Sequence, residues 1–93
     1  MDLFTLSPQA RNDLTTFLRD IVRTPSLSTQ EGAVAERIVA EMKRLGFRDV
    51  RTDRIGNVVG WIGPGHGPVL MLNGHMDTVR VSDPKTWSHD PLG

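Results

Sequence analysis

The sequence predicts an α/β fold in which two helices and a β-hairpin precede a buried strand. Apolar residues recur at helical spacing in two early segments, and β-branched and aromatic residues nearly alternate with polar ones in two short segments after them. An uninterrupted apolar run then begins at Val69. Such runs suit strands that are covered on both faces, as in parallel sheets beneath helices. This order is consistent with the start of an α/β sandwich.

The first helix is expected from about Pro8 to Arg23. Ser7 suits the N-cap, and a proline suits the first helical position. Thr24 and Pro25 end the helix, because the residue before a proline is pushed out of the helical region. The apolar residues that share one face of this helix are Leu14, Phe17, Leu18, Ile21 and Val22.

A second helix is expected to begin at Ser28-Thr29-Gln30-Glu31 and to end near Leu45. The four residues fit a capping box, in which the serine oxygen accepts from a backbone amide and the glutamate reaches back. Gly46 suits a left-handed cap at the other end. The apolar stripe of this helix consists of Val34, Ala35, Ile38, Met42 and Leu45.

A β-hairpin is expected from residues 47–53 and 57–62, which are separated by Arg54-Ile55-Gly56. A loop rich in glycine and proline follows at residues 63–68. The predicted buried strand comes next and contains Val69, Leu70, Met71 and Leu72.

A histidine and an aspartate two residues apart follow this apolar run. Side chains alternate along a strand, so His75 and Asp77 are expected to project to one side while Met76 points away. In open α/β sheets, ligands bind at the carboxyl ends of strands. Imidazole is a common zinc ligand, and a nearby carboxylate can fix its tautomer. The spacing alone leaves open that His75 is an ordinary polar residue near a strand end.

Composition narrows the class of protein. The 11 basic and 11 acidic residues cancel, and the basic residues are spread along the chain, which argues against a nucleic-acid or membrane-surface partner. The absence of cysteine excludes disulfides and thiolate ligands. The first residues have no long apolar core, so a signal peptide is not expected. We therefore expect a soluble, cytoplasmic protein.

The string LNGHMDTV resembles the first metal-binding motif of a family of zinc-dependent amidohydrolases and exopeptidases. That family includes acetylornithine deacetylase, succinyl-diaminopimelate desuccinylase, carboxypeptidase G and peptidase T. Residues 14–47 resemble its two opening helices, including a Pro-Ser turn and the glutamate that begins the second helix. Trp87 and the later Asp-Pro resemble its Trp...Asp-Pro-Phe segment. Leu92 in place of phenylalanine and Thr24 in place of an aliphatic residue are two departures.

The resemblance implies an α/β/α sandwich of the zinc-dependent exopeptidase type. It also implies a metal-dependent hydrolase of amide bonds in N-acyl amino acids or small peptides. His75 would be the first ligand of a two-zinc site, which cobalt or manganese could also fill, and Asp77 would be the catalytic-site carboxylate that orients it. The complete family members are usually homodimers.

The remaining ligands and the catalytic glutamate come later in the family's order. We therefore expect residues 1–93 to be an N-terminal fragment of a metallohydrolase catalytic domain, lacking the lid or dimerisation domain and inactive alone. A doubly covered strand needs neighbours and a second helical layer, which the residues after Val79 cannot supply. The alternative is a non-catalytic α/β module or truncated remnant with no activity of its own.

Overall fold

The computed structural model describes residues 5–92, which form two helices followed by a two-stranded antiparallel sheet. In chain order the elements are α1 (Pro8–Arg23), α2 (Gly32–Arg44), β1 (Arg48–Thr52), β2 (Val58–Trp61) and a 3-10 turn at Pro84–Thr86. The α/β class is confirmed, as is the order of helix, helix and hairpin. Within residues 5–92, no helix combines the length and apolarity needed to cross a membrane.

Helix α1 has the predicted bounds and the predicted cap. The Ser7 hydroxyl accepts from the Ala10 amide at 3.1 Å. Only part of its apolar face meets α2. Leu14 and Leu18 are each 55% exposed and Val22 is 45% exposed. The side of the predicted stripe that carries these three residues is therefore about half exposed.

Helix α2 is the central element, because it contacts α1 on one side and both strands of the hairpin on the other. Its residues Val34 and Ala35 form the buried apolar core. Among the described residues, α1 makes no comparable contact with the hairpin. Helix α2 therefore links α1 to the hairpin.

An ion-pair network joins the two helices around Glu41, which is 6% exposed. Its carboxylate accepts from Arg37 at 3.0 Å and from Arg44 at 2.6 Å. Arg37 also binds Asp20 of α1 at 3.0 Å and lies 5.0 Å from the centre of the Phe17 ring. The hydrogen bond from Arg44 is the main cause that lowers the pKa of Glu41, against the opposing effect of burial.

The C-terminus of α2 leads directly into the hairpin through a Schellman motif. Gly46 has φ +83°, its amide donates to Lys43 O at 3.1 Å, and the Phe47 amide donates to Met42 O at 2.9 Å. The predicted left-handed cap is thus confirmed. A Cβ atom added to Gly60 of β2 would lie 2.8 Å from Met42 Sδ and 3.0 Å from Phe47 Cδ2. Close packing at the end of α2 therefore requires a glycine on the strand.

The hairpin is confirmed, and an aspartate organises its turn. Asp53 Oδ1 accepts from the amides of Ile55 at 3.0 Å and Asn57 at 2.9 Å. Its second oxygen accepts from Asn57 Nδ2 at 2.9 Å. These bonds lower the pKa of Asp53, the side-chain bond from Asn57 most of all. The register shifts near the start of β1, where Asp49 has φ +50°.

The capping box predicted at Ser28 is wrong. The N-cap of α2 is Glu31, which makes no side-chain bond to the helix. Its carboxylate accepts instead from the Thr29 amide at 2.9 Å, and the Ser28 hydroxyl donates to Asp77. The reason is that Thr29 adopts a left-handed conformation with φ +71°, and the helix starts three residues beyond it, at Gly32.

The buried strand predicted at Val69 is also wrong. Residues 69–72 are not part of any strand, and their side chains are between 74% and 86% exposed. In the described part of the chain, β1 and β2 pair only with each other. An apolar segment becomes a buried strand only when a neighbouring strand and covering layers are present. The apolar run therefore remains solvent-exposed.

We predict that Gly60→Ala destabilises the hairpin by about 1–3 kcal/mol, because the new methyl group forces Phe47 and Met42 to shift. Hydrogen exchange of the β2 amides should speed up accordingly. Gly32→Ala is the matched control, since a Cβ there meets nothing within 4 Å. Equal protection of β2 in both variants would contradict the packing argument.

We predict that Glu41→Gln weakens the packing of α1 on α2 by about 1–2 kcal/mol, because two arginines lose a charged partner. A carboxyl whose pKa is lowered by folding stabilises the protein above its ordinary pKa of about 4.3. That contribution is lost as the pH falls from there through the lower pKa of the folded state. Urea unfolding followed by circular dichroism at several pH values should show this acid loss shrink in the variant. Glu36→Gln, at an exposed position of α2, is the control and should unfold in urea like the wild type.

Candidate functional site

The structure brings the two predicted site residues, His75 and Asp77, into contact. His75 Nδ1 lies 3.0 Å from the backbone oxygen of Asp77 and 3.2 Å from its Oδ1. The imidazole is 85% exposed, and no residue from 5 to 92 hydrogen-bonds its Nε2. In the neutral ring, a proton on Nδ1 donated to these oxygens leaves the lone pair of Nε2 free. The pair lies on an irregular segment rather than at a strand end.

The loop between α1 and α2, residues 24–31, holds this pair from the other side. The Ser28 hydroxyl donates to Asp77 Oδ2 at 3.0 Å. The Ser26 hydroxyl donates to Met76 O at 2.8 Å, and Ser26 O accepts from the Thr78 amide at 2.7 Å. Ser26 is 1% exposed. Three hydrogen bonds therefore bracket Asp77 through its neighbours and its own side chain.

Sequence reasoning did not assign Ser26 or Ser28 to the site. Their partners lie 50 and 49 positions away, so no local spacing connects them. The resemblance includes a Pro-Ser turn at Ser26 but gives it no role, and the local pattern predicts Ser28 as a helix cap. Only the folded chain shows that both serines face the histidine-aspartate segment.

These contacts favour the ionised form of Asp77. The hydrogen bond from Ser28 is the main cause that lowers the pKa of its carboxyl, and partial burial acts in the opposite direction. Contact with His75 lowers the pKa further. Asp77 is therefore an ionised acceptor at neutral pH, which suits it to hold a proton on the facing imidazole nitrogen.

The backbone beside Ser28 is strained. Thr29 has φ +71°, a region that β-branched residues rarely adopt. Its amide donates to Glu31 Oε1 at 2.9 Å, which ties the strained residue to the start of α2. Such strain persists only where surrounding contacts hold it, and it is frequent at functional sites.

An open cleft of about 190 Å³ lies beside the pair. Its lining residues include Glu31, Asn57, Gly74, His75 and Asp77. Within residues 5–92, no three histidine, cysteine, aspartate or glutamate side chains are placed to hold a metal ion together. The described residues thus offer one imidazole nitrogen, oriented by a carboxylate, rather than a complete metal site.

Comparison with known proteins reveals relatives over most of the chain. Uncharacterized protein YgeY of Escherichia coli K12 is 48% identical over 80 residues, which are 85% of this chain and 19% of that protein. A succinyl-diaminopimelate desuccinylase of Cereibacter sphaeroides ATCC 17029 is 36% identical over 77 residues, which are 80% of this chain and 20% of the enzyme. Succinyl-diaminopimelate desuccinylase 2 of Ruegeria sp. TM1040 is 35% identical with the same coverage.

The chain is similar to desuccinylases. It spans about a fifth of the length of these curated relatives. No protein-family model matches the chain, and no solved structure matches it. The similarity supports the family resemblance drawn from the motif.

We predict that Thr29→Gly stabilises the chain by up to about 1 kcal/mol. Relief of the left-handed strain, about 1–2 kcal/mol, exceeds the entropy cost of the glycine, about 0.5–1 kcal/mol. Thr16→Gly, on the exposed face of α1, should instead destabilise it. Urea unfolding measures both variants. A loss of stability at position 29 would show that the loop does not store this strain.

Proposed function

We propose that this chain supplies the first metal ligand of a zinc-dependent amide hydrolase of the deacetylase, desuccinylase or peptidase kind. The observation that carries the proposal is the contact of His75 Nδ1 with Asp77, which leaves Nε2 exposed. Ligating histidines commonly donate their other ring nitrogen to a carboxylate or a backbone carbonyl. The similarity to desuccinylases is the second support.

The donor set fits zinc as a partial site. His75 would bind the metal through Nε2, and Asp77 would hold the proton on Nδ1 and thereby orient the ring. Zinc is the first choice, and cobalt or manganese would accept the same imidazole. When bound, such a metal lowers the pKa of a water ligand and polarises a carbonyl group.

Residues 5–92 do not form a complete metal site, since no group of three suitable side chains occurs there. A catalytic zinc site needs about three protein ligands. We therefore propose that the activity belongs to a longer protein with the α/β/α sandwich of the zinc-dependent exopeptidases, and that the 93-residue chain alone is inactive.

The proposed substrates are small N-acyl amino acids or peptides, by analogy with relatives that are named for removing a succinyl group from diaminopimelate. The balanced charge gives no reason to propose a nucleic acid or a membrane surface as partner. By the same analogy we propose a cytoplasmic homodimer for the complete protein.

The test is a chimera in which this chain replaces the matching fifth of the Cereibacter sphaeroides desuccinylase. We predict zinc-dependent desuccinylase activity in the chimera. His75→Ala should reduce activity to background and remove bound zinc, because an imidazole ligand is lost. Asp77→Asn should lower activity or zinc affinity about 10–100-fold, the usual cost of losing such a supporting group.

The matched control is His89→Ala, which removes another exposed histidine whose Nδ1 lies 3.1 Å from Ser88 Oγ. It should leave zinc content and activity unchanged. Full activity in the His75→Ala chimera would disprove the ligand assignment. A folded chimera with neither zinc nor activity would favour the non-catalytic module.

A further inference from the structure

We propose that the loop between the helices is a positioning element for the histidine-aspartate pair. Ser28 holds one carboxylate oxygen of Asp77 so that the other oxygen faces His75. Ser26 fixes the backbone on either side of Asp77. The significance for metal binding rests on the proposed function, but the contacts themselves need no metal.

Ser28 restrains rotation of the Asp77 carboxylate. The terminal torsion of an aspartate is broad, so the side chain alone does not keep one oxygen on a neighbouring ring. Here Oδ2 of Asp77 accepts from the Ser28 hydroxyl at 3.0 Å, while Oδ1 lies 3.2 Å from His75 Nδ1. Each oxygen has its own partner, and together the two partners fix the carboxylate plane.

Ser26 holds the backbone of the histidine-aspartate segment. Residues 75–79 are irregular and belong to no strand, so no ladder of hydrogen bonds holds them. Ser26 substitutes for that ladder, with bonds to Met76 O and from the Thr78 amide. Because Ser26 is almost fully buried, water competes little for these bonds.

The conformation of the loop holds Ser28 in place. The neighbouring residue, Thr29, has a left-handed backbone, and its amide binds the carboxylate of Glu31. Glu31 is the N-cap of α2. The serine hydroxyl is therefore turned towards Asp77 by a loop that is anchored to the central helix.

The consequence is a defined tautomer of His75. A carboxylate held against Nδ1 favours the proton on that nitrogen, so Nε2 stays unprotonated and available to a metal. If the carboxylate were free to rotate, Nδ1 would keep the backbone oxygen of Asp77, at 3.0 Å, as an acceptor but would lose the charged one, and the share of the Nδ1-protonated form would fall. Ser28 thus acts on His75 only through Asp77, as a positioning residue.

The experiment is ¹⁵N NMR of the imidazole in the metal-free 93-residue chain, at a pH well above the ordinary histidine pKa of about 6.5. Ser28→Thr and Ser28→Val form an isosteric pair that differs in the hydroxyl group. We expect the Nδ1-protonated form to dominate in the wild type and in Ser28→Thr. In Ser28→Val its share should fall, while the backbone oxygen of Asp77 remains as an acceptor 3.0 Å from Nδ1.

Ser82→Ala, at an exposed position, is the control and should leave the ring signals unchanged. Circular dichroism establishes that the helices are retained in each variant. The proposal is overturned if Ser28→Val keeps the wild-type signals, if both variants lose them equally, or if the wild-type ring is protonated at Nε2. Because the measurement uses no metal, failure of the chimera to hydrolyse substrate would not alter its outcome.

Discussion

Packing of α2 between α1 and the β1–β2 hairpin is the interaction on which the rest of the structure depends. The middle of the helix holds α1 through the buried Glu41 and its arginine partners. Its C-terminal Schellman motif sets the direction in which the hairpin begins. Its N-cap, Glu31, anchors the loop that reaches His75 and Asp77. Helix α2 therefore positions α1, the hairpin and the loop that contacts His75 and Asp77.

Local signals were sufficient for the elements that local interactions stabilise. The proline and serine at the start of α1, Gly46 after α2 and the Asp53 turn each act within a few residues, and the sequence predicted these helices and the hairpin. Burial of the apolar run at Val69 would require a neighbouring strand and covering layers, and the described residues supply neither. Pattern alone therefore could not show whether that run would be buried.

The residues of the candidate site also fall into two groups, those in one local motif and those that long-range contacts bring to it. The sequence predicts His75 and Asp77 as site residues, because their chemistry and spacing are contained in one short motif. Ser28 was assigned to a local cap, since a serine three residues before a glutamate usually has that role. The left-handed conformation of Thr29 separates it from the helix and makes a distant carboxylate its partner. The sequence does not show whether the Ser28 hydroxyl accepts from a nearby backbone amide or donates to a distant carboxylate.

Asp77 has two carboxylate oxygens, and each one contacts a different partner. One is engaged by the loop before α2 and the other faces the imidazole. If both oxygens were directed at His75, the ring would be the only restraint on the carboxylate, and an exposed ring moves readily. The loop before α2 lies outside the motif and fixes one oxygen of the Asp77 carboxylate. The loop therefore orients the carboxylate and, through it, the His75 ring. The strained backbone of Thr29, beside Ser28, agrees with a loop that holds the carboxylate in place. Strain of this kind is retained where the surrounding structure holds a local geometry.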